Sequence, residues 1–261
     1  MTTTLDHVVV NALRGMDAAA ETFAALGFTL TPLGRHSLGS INHLMMAPGD
    51  YLELVAVPET GKQRQEVLDS PFGLSGLVFK TDDADAAYQR LSAAGLSPTE
   101  PVAFSRPVEI DGEARDARFR TVRVAAELFP AGRVYFCQHL TPELVWREEW
   151  LEHPNGFAGF DRIEVASPEP ETAASLYAAA ADSAVKAGDG LWRVSVDDFH
   201  IDVVSAERPR FTKLGLTFRG LGRLEQAATG LTGVTWRRTA ADAACLDIAS
   251  LELSLECRSI A

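Results

Sequence analysis

The chain has 261 residues, of which 46% are hydrophobic and 23% charged, enough for one large or two ordinary globular domains with a substantial core. No apolar run approaches the roughly 18 residues of a membrane helix, so no membrane partner is expected. A formal net charge of -12 argues against a nucleic-acid partner, because binding that backbone needs clustered cations.

The stretch from Met1 to Asp6 lacks the basic region and apolar core of a secretory signal, so a cytoplasmic location is expected. The first strand candidate follows at once, Leu5-Asp6-His7-Val8-Val9-Val10, an apolar run carrying a histidine. Met16, Ala19, Ala20, Phe23, Ala24 and Leu26 recur at helical spacing, and Gly27 sits where a helix ends. Phe28-Thr29-Leu30, Ile41 to Met46 and, after the turn Pro48-Gly49-Asp50, Tyr51 to Val57 read as three further strands.

The same order then returns three times. A second segment opens at Leu74 to Phe79, and its helix is capped near Thr81 to Asp83. Its strands lie around Val102–Phe104, Phe119–Val124 and Arg133–His139, with a charged, loop-like insertion from Glu109 to Arg118. A third opens at Phe160 to Val165, and its helix is expected to start at Ser167 followed by Pro168. Paired strands follow at Leu191–Val196 and Phe199–Val204. A fourth runs from Lys213–Phe218 through a helix around Leu221 to Leu231, then strands at Val234–Arg238, Ala244–Ile248 and Leu251–Glu256.

One copy of a helix with four strands would leave open edges and an uncovered sheet face, so the copies must pair. The predicted fold is α+β: four βαβββ units pairing into two curved, open barrel-like sheets with helices outside. The stretch Arg147 to Gly159 separates an N-terminal domain, 1–150, from a C-terminal one, 151–261. The three cysteines, Cys137, Cys245 and Cys257, are too scattered for a disulfide framework or a CxxC zinc site and read as reduced thiols.

Tyr51-Leu52-Glu53-Leu54-Val55-Ala56-Val57 puts one carboxylate into a strand that otherwise reads as buried. Strand side chains alternate, so Tyr51, Glu53, Val55 and Val57 share a face. An unpaired buried carboxylate costs roughly several kcal/mol, so water, a cation or a metal should meet Glu53 there; an ion pair with Arg35 or Arg123 is one way to satisfy it.

The paired βαβββ unit, opening on Leu5-Asp6-His7-Val8-Val9-Val10 and closing on Tyr51-Leu52-Glu53-Leu54-Val55, resembles the vicinal oxygen chelate superfamily. The stretches His36 to His43 and Phe136 to Trp146 are similar to its glyoxalase-like branch. That resemblance implies a divalent metal (Zn, Ni, Mn or Fe) held by ligands from the first and last strands of paired units, with open positions for two neighbouring substrate oxygens. His7 and Glu53 match ligand positions, and Glu53 is also the implied catalytic carboxylate. Gly76 stands where the second unit would carry its first ligand and offers none. The closing strand of that unit offers Cys137 or His139 on one face and Gln138 on the other, and His139 is the candidate third ligand. In the second half Arg162 stands at the place of His7, Gly215 at that of Gly76, and Ile201 or Asp202 at that of Glu53, so a structural or substrate-closing partner is expected there. Asn42, Arg35 and Arg123 are candidate substrate contacts.

Two function classes follow. The first is a metal-dependent enzyme of lyase, isomerase or dioxygenase type acting on a small molecule with vicinal oxygens. The alternative is a metal-free binding or resistance protein that sequesters a small compound, for which the acidic charge suits a cationic ligand. A third reading, a purely structural role, leaves Glu53 only an ion pair to close. Four units in one chain can supply internally what two-unit relatives obtain by dimerising, so a monomer or loose homodimer is expected.

Overall fold

The computed structural model describes residues 3–110 and 112–260. The first unit is β1 (Leu5–Asn11), α1 (Met16–Ala25), β2 (Gly34–Arg35), β3 (Ile41–Met46) and β4 (Tyr51–Ala56). After a short helix, α2 (Gln65–Leu68), the second is β5 (Gly73–Lys80), α3 (Ala84–Ala93), β6 (Val102–Ile110), β7 (Glu113–Arg123) and β8 (Arg133–His139). The third is β9 (Phe157–Ser167), α4 (Pro170–Ala181), β10 (Val185–Gly188), β11 (Leu191–Val196) and β12 (Phe199–Ser205). The fourth is β13 (Arg210–Phe218), α5 (Gly222–Ala228), β14 (Val234–Arg238), β15 (Ala243–Ile248) and β16 (Leu253–Ser259). The expected α+β architecture of four βαβββ units is thus present.

Units pair as expected. The first sheet runs β2-β3-β4-β1-β5-β8-β7-β6 and the second β10-β11-β12-β9-β13-β16-β15-β14. In each, the two opening strands meet antiparallel at the centre, and each opening strand lies parallel to the closing strand of its own unit. The first sheet curls until its outer strands meet: Ser37 N–H donates to the Ser105 carbonyl at 2.9 Å, and Ser105 N–H to the Ser37 hydroxyl at 3.2 Å.

Three local expectations are corrected. Glu109 to Arg118 is the far end of the β6–β7 hairpin, paired from Val102↔Thr121 to Ile110↔Glu113, and reads as a loop because its charged residues, Glu109, Glu113, Arg115, Asp116 and Arg118, are exposed and outnumber the buried Ile110 and Ala117 between them. Phe28 to Leu30 forms no strand, and β2 is only Gly34–Arg35. The third helix begins at Pro170. Ser167 ends β9 and accepts from Glu169 N–H at 3.1 Å, while the second proline of Ser-Pro-Glu-Pro takes the first turn.

The helix-side faces of both sheets share one apolar core, running from Val8, Val10, Leu52 and Leu54 to Ile163, Val165, Leu214 and Leu216. Phe28 packs on Phe157 and Phe218, with ring centroids 5.3 and 6.2 Å away. The connection between the sheets is tied down. His153 donates from Nε2 to the Met46 carbonyl at 2.7 Å and accepts at Nδ1 from Thr29 N–H at 3.0 Å, and Asn155 donates to the Leu26 carbonyl at 3.0 Å. Arg90 on α3 donates to the carbonyls of Ala179 and Ala180, orphan acceptors at the end of α4.

The concave faces of the two sheets differ. That of the first holds a second apolar cluster, including Val9, Leu44, Val55, Val78, Phe119 and Cys137. That of the second is lined by ion pairs: Arg162 with Glu256, Arg193 with Asp202 at 2.6 Å, and Lys213 with Glu164 at 3.0 Å.

Candidate functional site in the first sheet

Alternation along the central strands of the first sheet aims one set of side chains into its hollow. His7, Tyr51, Glu53, Tyr135 and Cys137 line it, with His36, Asn42, Leu44, Val55, Arg64, Phe104, Arg106, Phe119, Thr121 and Arg133. The free space is small, about 30 Å³, room for on the order of one or two water centres or an ion.

β1 and β4 bring His7 and Glu53 together. They run parallel with Val9 opposite Glu53 and His7 opposite Tyr51, and His7 Nε2 lies 3.6 Å from Glu53 Oε2. Tyr51 stacks on the His7 ring at 4.4 Å and fixes its plane. The other Glu53 oxygen accepts from Asn42 Nδ2 at 2.7 Å. Burial alone would raise the Glu53 carboxyl, but His7, His36 and the Asn42 hydrogen bond hold it below its ordinary value, so it is ionised at neutral pH. Burial lowers His36 to about 4, which leaves it neutral.

Asp6 and His7 are sequence neighbours, yet both serve this side of the sheet. Leu5 pairs with Phe79 and His7 with Val78, so β1 carries two steps where β5 carries one. Such a bulge re-aims a side chain. Asp6, fully buried, lies 3.6 Å from His7 Nδ1 and accepts from His139 Nε2 at 2.8 and 3.0 Å. Burial opposes its charge, but the two histidines outweigh that and hold the Asp6 carboxyl far below the carboxylate range. His139 therefore stands behind His7, packed on Trp146 at 4.7 Å, and does not line the cavity. Its ring nitrogen, the Cys137 sulfur and an Asp6 oxygen lie within 4.8 Å of one another, a second set of metal donors. Burial and the Asp6 charge push the Cys137 thiol up, and a metal there would compete with the Asp6–His139 hydrogen bond.

The pseudo-two-fold between the units shows what replaces the missing ligand. Val9 opposes both Glu53 and Gly76, and Val78 opposes both His7 and Tyr135. Gly76 therefore matches His7, and Tyr135 matches Glu53. A Cβ on Gly76 would fall 3.0 Å from Val9 Cγ2, so that place is filled by Val9. The Tyr135 hydroxyl reaches across to His7 Nε2 at 3.1 Å.

Of the six residues picked out in the sequence, the cavity gathers His7, Glu53 and Asn42. Arg35 is exposed on β2, and Arg123 is paired with Glu66 at 2.9 Å; neither lines the cavity. The arginines that do are Arg64, Arg106 and Arg133, so the local charge runs opposite to that of the whole chain. Tyr135 and Arg133 were within reach of strand alternation in Arg-Val-Tyr-Phe-Cys-Gln-His. Arg106 lay in a strand whose length was underestimated. In the second sheet Asp202 shares a face with Glu164 but is consumed by Arg193, and Ile201 is core.

The donors in the cavity suit a divalent ion. Two ligands each about 2.1 Å from one ion lie roughly 3.0–3.4 Å apart, so a 3.6 Å separation closes with a small movement. His7 Nδ1 has no hydrogen-bond partner and lies 3.6 Å from the Asp6 carboxylate, so a small movement would let that carboxylate accept from it and direct the other ring nitrogen onto a metal.

Residues 5–181 match the family model described as a glyoxalase-like domain. No curated protein sequence matches the chain. Among solved structures, it is similar to a hypothetical protein from Staphylococcus aureus, at a TM-score of 0.72 and 13% identity, over 99% of this chain and 100% of that one. A Mn(II)-bound glyoxalase from Novosphingobium aromaticivorans aligns at 0.60 and 12%, over 99% and 81%. A mutant 4-hydroxymandelate synthase from Streptomyces coelicolor aligns at 0.56 and 13%, over 99% and 92%. No helix among the described residues is long and apolar enough to cross a membrane.

Proposed function

Since the chain belongs to the glyoxalase-like domain family, of the vicinal oxygen chelate superfamily, we propose that it is a metal-dependent enzyme acting on a small molecule with neighbouring oxygens. The observation that carries this reading is the convergence of His7 Nε2, Glu53 Oε2 and the Tyr135 hydroxyl in one cavity, with Asp6 behind His7. His7 and Glu53 are the residues that would hold the ion, with Tyr135 as the third donor. Bound there, a divalent metal (Zn, Ni, Mn or Fe) would polarise a pair of substrate oxygens as a Lewis acid.

The remaining roles fall to groups of the chain. Glu53, ionised and steadied by Asn42, is the group to take a proton from carbon or oxygen. Tyr135, whose hydroxyl is pushed up by burial and by Glu53, keeps its proton, so it would meet the ion as a neutral oxygen. Phe104, Phe119, Leu44 and Val55 exclude bulk water. Two histidines line the cavity, His7 against Glu53 and His36 with its Nδ1 2.8 Å from the Ser40 hydroxyl, a donor set compatible with lyase, isomerase or dioxygenase chemistry.

The 1–150 part is proposed to carry the site and the 151–261 part to support it. Three free cysteines suit a reducing compartment, in keeping with a cytoplasmic, monomeric or loosely dimeric protein. The test is metal content by elemental analysis, with thermal stability followed against added Mn, Fe, Ni, Co and Zn, in the parent chain and in Glu53→Gln. Stoichiometric metal and a stabilisation lost in E53Q are expected. A parent chain that neither contains nor responds to any of these ions would falsify the enzyme reading and favour metal-free sequestration, for which the blocked Gly76 position speaks.

A further inference from the structure

We propose, resting on the reading of this cavity as a substrate site, that the small molecule it takes carries a carboxylate, gripped by Arg106 with Arg133 beside it. Arg106 is 3% exposed, its side chain makes no ion pair or hydrogen bond among the described residues, and its Nη2 is buried without a partner. Arg133 Nε and the Thr121 hydroxyl are likewise buried and unpartnered, and all three residues line the same hollow. Leaving a guanidinium dry and unpaired is unfavourable, and a planar fork of donors matches a carboxylate with two parallel hydrogen bonds.

Arg64, Arg106 and Arg133 all line the cavity, where Glu53 is the one carboxylate. Glu66, outside it, is shared by Arg64 at 2.8 Å and Arg123 at 2.9 Å, so the lining itself is cationic in a chain whose net charge is -12. Burial draws the Arg106 guanidinium below its ordinary value, and Tyr51 and Glu53 oppose that fall. The site is built to hold this side chain: Gly34, on the facing edge strand, leaves the space into which Arg106 extends, since a Cβ there would fall 3.1 Å from its Cδ and 3.2 Å from Nη1. The walls beside it, Phe104 and Phe119, stack at 5.0 Å, and the free space of about 30 Å³ suits a small acid.

The experiment is calorimetric titration of the full chain, freed of metal with a chelator, using formate and acetate, their uncharged amides, and inorganic phosphate. Both acids are expected to bind, with the amides at least tenfold weaker. Arg106→Gln is expected to weaken the acids tenfold or more, Arg106→Lys to restore part of the loss, and Glu53→Gln to keep or strengthen binding, because it removes a negative charge. Circular dichroism checks the fold of R106Q, and Arg133→Gln, at a less buried position, reads a smaller loss of about threefold independently. Acids that do not bind, amides that bind equally well, phosphate that outcompetes the acids, or an R106Q chain that binds them like the parent overturns the proposal. Metal response is read separately in His7→Ala. Carboxylate binding through Arg106 in a chain that ignores metals leaves this inference standing and removes the metal reading, and the opposite pattern does the reverse.

Discussion

The Tyr135 hydroxyl stands 3.1 Å from His7 Nε2, a contact between strands of two different units, 128 positions apart in the chain. Because Tyr135 occupies the place that matches Glu53 under the pseudo-two-fold, it substitutes a neutral, weaker donor where the other unit has a carboxylate. Tyr135→Phe removes that oxygen while keeping the ring. The expected result is an intact fold with Mn affinity reduced about tenfold, read from the metal dependence of the melting temperature; equal affinity would confine Tyr135 to orienting His7.

Asp6 reaches the site only through the bulge in β1, and its carboxylate faces both His7 and His139. Partners behind a metal-binding histidine typically contribute about 10–100-fold to metal affinity. Asp6→Asn is therefore expected to weaken metal binding within that range without touching the cavity wall, checked by competition against a chelating dye. Glu53→Gln in the same assay should cost more.

Asp50 provides a pH test away from the cavity. Burial pushes its carboxyl up to about 7, only partly offset by Lys80. The folded chain holds this proton more tightly than the unfolded chain does, so stability falls as pH rises from about 4 to about 7 and the full cost applies above that. Asp50→Asn keeps the shape without the charge. It is expected to stabilise the protein by about 1 kcal/mol at pH 8 and by almost nothing at pH 4. Urea denaturation at the two pH values reads the difference.

Gly132 lies where the sheets touch. A Cβ there would fall 2.3 Å from Phe211 Cε2 and 2.9 Å from the Ser75 carbonyl. Gly132→Ala forces the ring aside, and overpacking of this kind costs about 1–3 kcal/mol. A lower denaturation midpoint is expected, with metal binding at His7 and Glu53 preserved. Because one apolar core spans both sheets, the parent chain is expected to unfold in a single transition.

These relationships differ in how far the sequence reveals them. The four units are legible because alternation, helical spacing and terminal glycines are local signals, and His7 and Glu53 are legible because each is a polar residue inside an apolar strand. Asp6 is hidden: strict alternation places it opposite His7, and only a bulge, a property of two paired strands, returns it. Arg106 is hidden for another reason. The far end of the β6–β7 hairpin carries a run of exposed charges that looks like a loop, and nothing local says that β6 meets β2 across the sheet. Arg35 and Arg123 have the right chemistry, but only folded geometry shows the first exposed and the second spoken for by Glu66.

The seam between Ser37 and Ser105 reaches beyond the cavity it closes. By bringing its two outermost strands together, the first sheet withdraws its borders from contact with other chains, whereas the second leaves β10 and β14 as termini of an open sheet. Any growth of this molecule by strand addition must begin at those two borders. Lys186 on β10 and Arg237 and Arg238 on β14 stand there, the kind of charge that discourages such growth. The second half thus holds the sheet borders at which copies of this chain could meet.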